Sequence, residues 1–156
     1  MKKAFPGNGK PTAVAPEAGP VSIHRPSAVY VYNKTRETFV ATEAVVADSY
    51  LRRLVGLLGK TKRWARLGAG LWIVPSRGVH TIGMMFPIDI LFLGREKEVV
   101  HLEEHVRPFR ISTISLRASS VLELPPHTIY RSGTRVGDRL EISALHPERS
   151  AEVSNP

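Results

Sequence analysis

The sequence predicts a mainly β or α+β protein: a curled antiparallel or mixed sheet, a partial barrel, of about seven short strands with one amphipathic helix packed on it. Three observations lead there. Short alternating or continuous apolar runs recur between turn signals, a single stretch has convincing helical spacing, and neither a repeating βαβ alternation nor an internal repeat is present.

The elements follow in order. The first 27 residues hold five prolines and three glycines with few large apolar side chains. They bury too little surface to offset their ordering entropy, so residues 1–27 are expected to be disordered. A compact domain is expected over 28–145 and a loose tail over 146–156. AVYVYN from Ala28 reads as a strand, Asn33-Lys34-Thr35-Arg36 as a turn, and ETFVATEAVVA as one or two strands completing a hairpin. Asp48 is placed to cap a helix in which Tyr50, Leu51, Leu54, Val55, Leu57 and Leu58 share one side and Gly59 ends the run. A loop or short second helix follows from Lys60 to Leu67, and LWIVP then reads as a buried strand closed by Pro75. Val79 to Met84 is a strand or tight loop, and Ile88 to Leu93 a continuous apolar strand. Gly94-Arg95-Glu96-Lys97 turns into EVVHLEEHV, a second hairpin. Pro108 breaks any long strand after it, SSVLELP is a short strand, and RLEIS is the last, after a Val136-Gly137-Asp138 turn.

Composition bounds the function. A chain of 156 residues with 42% hydrophobic content supports one domain with its own core. The absence of cysteine excludes a disulfide framework, a thiolate metal site and a Cys nucleophile. No window reaches the roughly 18 apolar residues of a membrane span, and Met1-Lys2-Lys3 is not followed by the apolar stretch of a signal peptide. A soluble, cytoplasmic monomer is expected. No phosphate-cradling glycine loop or nucleophile elbow occurs, and no cofactor is expected. The glycines of Gly133 to Asp138 precede a strand and read as turn residues, with Asp138 bonding its own turn. The net charge is +8, and no acid lies between Ser49 and Ile88, where Arg52, Arg53, Lys60, Lys62, Arg63, Arg66 and Arg77 form a basic zone. Such a zone is either a solvated face or an attractor of nucleic acid or an anionic surface. The solvated face is favoured, because only Trp64 supplies aromatic interleaving.

The richest segment is Gly78 to Gly94, where a lone acid, Asp89, sits in a run apolar enough to be core strand. A carboxylate there requires hydrogen-bond donors or a cation to offset its lost hydration. The candidate ligand or structural site is His80, Thr81, Met84, Asp89, His101, Arg107 and Glu123, each in or beside an apolar strand pattern. If Phe86-Pro87 turns the chain, the His80 ring and Asp89 can meet, as a structural hydrogen bond, as an oriented general base or, least favoured because the histidines show no metal-ligand spacing, as a pair holding a metal. Met84 is core filling or the lining of an apolar pocket. Glu123 alternates with Leu122 and Leu124 and reads as an exposed strand residue in preference to a partner for Arg107 or Arg110. His101 and His105, four apart on a strand, stand about 13 Å apart on one face, too far to share an ion.

HTIGMMFPID with LFLG behind it, preceded by LRRLVGLLGK and followed by VLELPPHT and GTRVGDRLEI, resembles the bacterial and archaeal family called domain of unknown function 192. The four blocks stand in the family's order from about Ala44 to Ile142. Val79, His80 and Thr81 occupy positions where the commoner form has an aromatic-Trp-Met run, and Gly83-Met84 replaces Asn-Thr, which is similar to a His-Thr branch. The resemblance implies a small β-rich fold and no established activity.

Three functional classes remain open on sequence alone. The first is a binding or accessory module with a groove near His80 and Asp89 for a protein, a peptide strand or a small ligand. The second is a hydrolase-like enzyme using His80 and Asp89, and the third an electrostatic binder acting through Arg52 to Arg77.

Overall fold

A computed structural model describes residues 28–47 and 67–145. The predicted helix from Asp48 to Gly59 and the cations from Arg52 to Arg66 lie outside the described residues. Within them, seven strands form one mixed sheet: β1 (Ala28–Asn33), β2 (Thr38–Ala47), β3 (Ala69–Ile73), β4 (Ile88–Leu93), β5 (Val99–Val106), β6 (Ser120–Leu124) and β7 (Leu140–Ala144). One five-residue helix, α1 (Thr128–Ser132), stands between β6 and β7. The strand order is β5-β4-β6-β3-β2-β1-β7, antiparallel throughout except for β2 against β3.

The sheet curls into a partial barrel because its outer strands meet at one end. The Val99 N–H donates to the Asp138 carbonyl at 2.9 Å, the Gly137 N–H to the Val99 carbonyl at 2.8 Å, and the Leu140 N–H to the Lys97 carbonyl at 3.1 Å. Glu98 and Arg139 form an antiparallel bridge between the same two edges. Pairing the edges removes exposed backbone donors and acceptors that would otherwise recruit another strand.

Strand alternation divides the core into two layers. Inward-facing Leu91 and Leu93 of β4 join Val29, Val31, Ala44, Leu122, Leu124, Ile129 and Leu140. The opposite face of the same strands carries Ile88, Ile90 and Phe92, packed with Leu71, Ile73, Ala47, Val121, Met84 and Ala118. Every residue of β4 and β6 is therefore buried, although a strand with one wet face would alternate. Fully burying an aliphatic or aromatic side chain contributes roughly 1.5–3 kcal/mol, and β4 alone buries five such side chains. Central strands thus carry much of the fold's stability.

The first hairpin is fixed by Asn33 and Asp138. The Asn33 Oδ1 accepts from the Thr35 and Arg36 N–H groups, closing the turn between β1 and β2. Its Nδ2 donates to the Asp138 carboxylate at 2.9 Å and to the Thr134 hydroxyl at 3.1 Å. Asp138 also accepts from the Arg36 Nε and the Arg135 N–H. Its predicted role in its own turn is present, but the residue also ties that turn to the distant hairpin. Burial by itself pushes the Asp138 carboxyl up, and the hydrogen bonds from Arg36, Asn33 and Arg135 outweigh it, holding the group below its ordinary value. Stability from this carboxylate is therefore present above the ordinary Asp range and is lost as pH falls through and below about 3.8. Asp138→Ala is expected to cost roughly 2–3 kcal/mol in urea unfolding at pH 7, because it removes one of the two acceptors of the buried Asn33 amide together with the acceptor of the Arg135 N–H. A loss below about 0.5 kcal/mol in that measurement would contradict this assignment.

Candidate functional site

Asp89 is fully buried and faces the inner layer beside Leu91 and Leu93. Its Oδ1 accepts from the His105 N–H at 2.9 Å and its Oδ2 from the Ile129 N–H at 2.9 Å. Both donors depend on unusual backbone. His105 has φ 53°, at the irregularity where β5 slips register against β4, and His127, which precedes α1, has φ 65°. His127 makes no side-chain capping bond, so Asp89, from β4, satisfies a first-turn N–H that α1 cannot satisfy locally. The predicted donors are thus present as backbone groups.

The expected meeting of the His80 ring with Asp89 does not occur. His80 is exposed, its backbone bridges to Ile111, and no hydrogen bond joins its ring to Asp89 among the described residues. Residues 79–81 run antiparallel to 109–112 and are bonded to that segment. The hydrolase-like reading loses its paired groups.

Thr81, next in sequence, is fully buried and holds two loops together. Its N–H donates to the Arg110 carbonyl, its carbonyl accepts from the Phe109 and Met84 N–H groups, and its hydroxyl donates to the Arg107 carbonyl while accepting the Arg110 N–H. Further bonds join Ser112 to Val79 and Ser115 to Arg77. The poorly legible segment after Pro108 is therefore one half of an irregular ribbon whose other half is residues 76–84. Val79, Met84, Phe86 and Ala118 pack this ribbon onto the outer face of the sheet. Its other side is open: Ile82, Met85, Phe109, Ile111, Ile114 and Leu116 are each 51–77% exposed. Arg77, Arg107, Arg110 and Arg117 are exposed beside them, and none forms an ion pair among the described residues.

Glu123 corrects its expectation of exposure. It is 4% exposed, between Leu71 of β3 and Ile90 of β4, on the face that also carries Val121. No hydrogen bond or ion pair reaches its carboxyl among the described residues, and burial pushes it up to about 8. At neutral pH it is mostly a neutral carboxylic acid, able to donate a hydrogen bond. Its predicted alternative partners, Arg107 and Arg110, are exposed on the ribbon.

His101 and His105 have different surroundings. The His101 ring packs on Phe92 at 5.1 Å, with its Nε2 3.7 Å from the Glu103 carboxylate. The His105 ring lies 5.3 Å from that of His127, a neighbour the sequence reading did not single out. The available signal was VLELPPHT itself: Leu124 pairs with Asp89, so residues just beyond it must emerge beside that carboxylate. Among the described residues, no group of three or more His, Cys, Asp or Glu side chains is arranged to hold a metal ion.

The DUF192 family model, described as "Uncharacterized ACR", matches residues 31–142, which takes in all seven strands in whole or in part. The chain belongs to this family. A UPF0127 protein of Pyrococcus furiosus is 30% identical over 114 residues, covering 70% of this chain and 94% of the relative. A UPF0127 protein of Thermococcus sibiricus is 29% identical over 125 residues, covering 76% and 77% respectively. Among solved structures, a Novosphingobium aromaticivorans protein of unknown function superposes with a TM-score of 0.64 at 22% identity, covering 86% of this chain and 99% of its own. A putative transcription regulator from Sinorhizobium meliloti gives 0.61 at 24%, covering 74% and 92%. These two likenesses show the fold alone and leave activity open. No helix among the described residues is long and apolar enough to cross a membrane.

Proposed function

We propose that this DUF192 chain is a binding module that docks through the 76–84/107–117 ribbon onto a partner protein with an acidic surface around an apolar centre. The observation that carries the reading is the ribbon's composition. Five large exposed apolar side chains and four arginines without ion-pair partners among the described residues share two hydrogen-bonded loops, with exposed Met85 directly after the first, and neither loop contains an acid. An exposed apolar patch of this kind marks an interaction surface. The loops contain Phe, Met and Arg but no Lys, which is the bias of protein interfaces. They also lack the Trp and Tyr that favour a lipid headgroup layer. Because Thr81 fixes the loops beforehand, little ordering entropy is lost on docking.

The test places a photo-crosslinking side chain at Ile111 and, as a control, at the exposed turn residue Glu37. A protein captured from Ile111 alone is then purified and titrated with the chain. Combined Arg107→Glu, Arg110→Glu and Phe109→Ser substitution is expected to weaken that binding by roughly 100-fold or more. Equal capture from both positions, undiminished affinity in the variant, or binding of the chain to phosphatidylglycerol vesicles in place of a protein would overturn the reading.

A further inference from the structure

The geometry points to a second site, independent of the ribbon: His105 and His127 form a two-imidazole binding site for a divalent transition-metal ion such as Zn²⁺, Ni²⁺ or Cu²⁺. Both residues have left-handed backbone, at φ 53° and 65°. Such conformations are uncommon for side-chain-bearing residues and persist where surrounding structure enforces them. Here Asp89 supplies that enforcement. One of its oxygens holds the N–H of His105 and the other holds the N–H of Ile129, two residues beyond His127. The buried carboxylate thus fixes, through the backbone, the two positions from which the rings project.

The ring separation suits shared coordination. A Zn–N bond is about 2.0–2.1 Å and a ring nitrogen lies roughly 1.1 Å from its ring centre, so two imidazoles on one tetrahedral ion have centroids about 5.2 Å apart. The observed separation is 5.3 Å, with the planes tilted by 36°. Both residues are exposed, so an ion can enter and complete its coordination with water. Imidazole donors favour Zn²⁺, Ni²⁺ and Cu²⁺ over Mg²⁺ and Ca²⁺, which take oxygen ligands. A bound ion would clamp the end of β5 to the start of α1.

The test is calorimetric titration of the full chain with ZnCl₂, NiCl₂ and MgCl₂. One Zn²⁺ or Ni²⁺ per chain is expected, with no Mg²⁺ binding. His105→Asn and His127→Asn are suitable variants because Asn tolerates left-handed backbone. Each is expected to weaken the ion by roughly tenfold or more, as one ligand of a chelating pair is lost. His80→Asn is expected to change nothing, and Cu²⁺ electron paramagnetic resonance should show two nitrogen ligands in the parent chain and one in either variant. Thermal unfolding verifies that each variant is folded. Absence of binding, affinity unaffected by either substitution, or a single nitrogen ligand in the parent spectrum would overturn the assignment.

Discussion

Glu123→Gln is expected to stabilise the protein at neutral and alkaline pH and to remove most of the pH dependence of its stability between pH 4.5 and 8. In the folded chain burial raises this carboxyl from 4.5 to about 8. The folded state therefore binds a proton that the unfolded state has released across that interval. Its contribution is fully present below pH 4.5, falls as pH rises through the window, and is lost above about 8. The interval corresponds to about 3 kcal/mol at pH 7 and up to about 5 kcal/mol above pH 8. Glutamine has nearly the same shape and cannot ionise, so the variant should match the parent at pH 4.5 and exceed it increasingly toward pH 9. Urea unfolding at pH 4.5, 7 and 9 measures this directly. Parallel profiles for the two proteins would mean that the Glu123 carboxyl is ionised in the fold and has found a partner.

The same residue marks where sequence reasoning reached its limit. Alternation placed Glu123 opposite Leu122 and Leu124 correctly, but burial does not follow from alternation when a sheet is covered on both sides. The needed signal lay in its neighbours: Val121 shares the face of Glu123, and β4, apolar but for Asp89, pairs with β6 from Asp89 to Leu93. A strand beside one buried on both faces is itself a candidate for double burial. The seven strands were legible because each has an apolar run bounded by turn residues. α1 was not, because five residues are too few for helical periodicity to register. At Asp89 the need for donors was legible and their identity was not. They are backbone N–H groups, 16 and 40 residues away in sequence, and backbone donors carry no residue-type signature. His80 was an attractive side-chain substitute only because it lay nearby in the chain.

That distinction gives Asp89 and His80 opposite expected phenotypes. Asp89→Ala removes both acceptors and leaves the buried Ile129 N–H and the partly buried His105 N–H without their partner. Each unsatisfied buried donor costs about 1–3 kcal/mol, so a total loss of about 4 kcal/mol is expected. For a domain of roughly 100 residues that corresponds to a fall in Tm of about 15 °C or more. Asp89→Asn keeps one carbonyl oxygen but turns an NH₂ group toward the second donor, so it should recover no more than about half of the loss. Amide hydrogen exchange adds a local readout: the Ile129 and His105 amides should exchange faster in both variants, ahead of the β4 amides. His80→Ala removes only an exposed ring and should stay within about 0.5 kcal/mol of the parent. A large loss in His80→Ala together with a mild one in Asp89→Ala would reverse the assignment and restore the imidazole as the group that matters. The expected order instead makes Asp89 the carboxylate that joins β4, β5 and α1 at one end of the barrel, where His105 and His127 face each other.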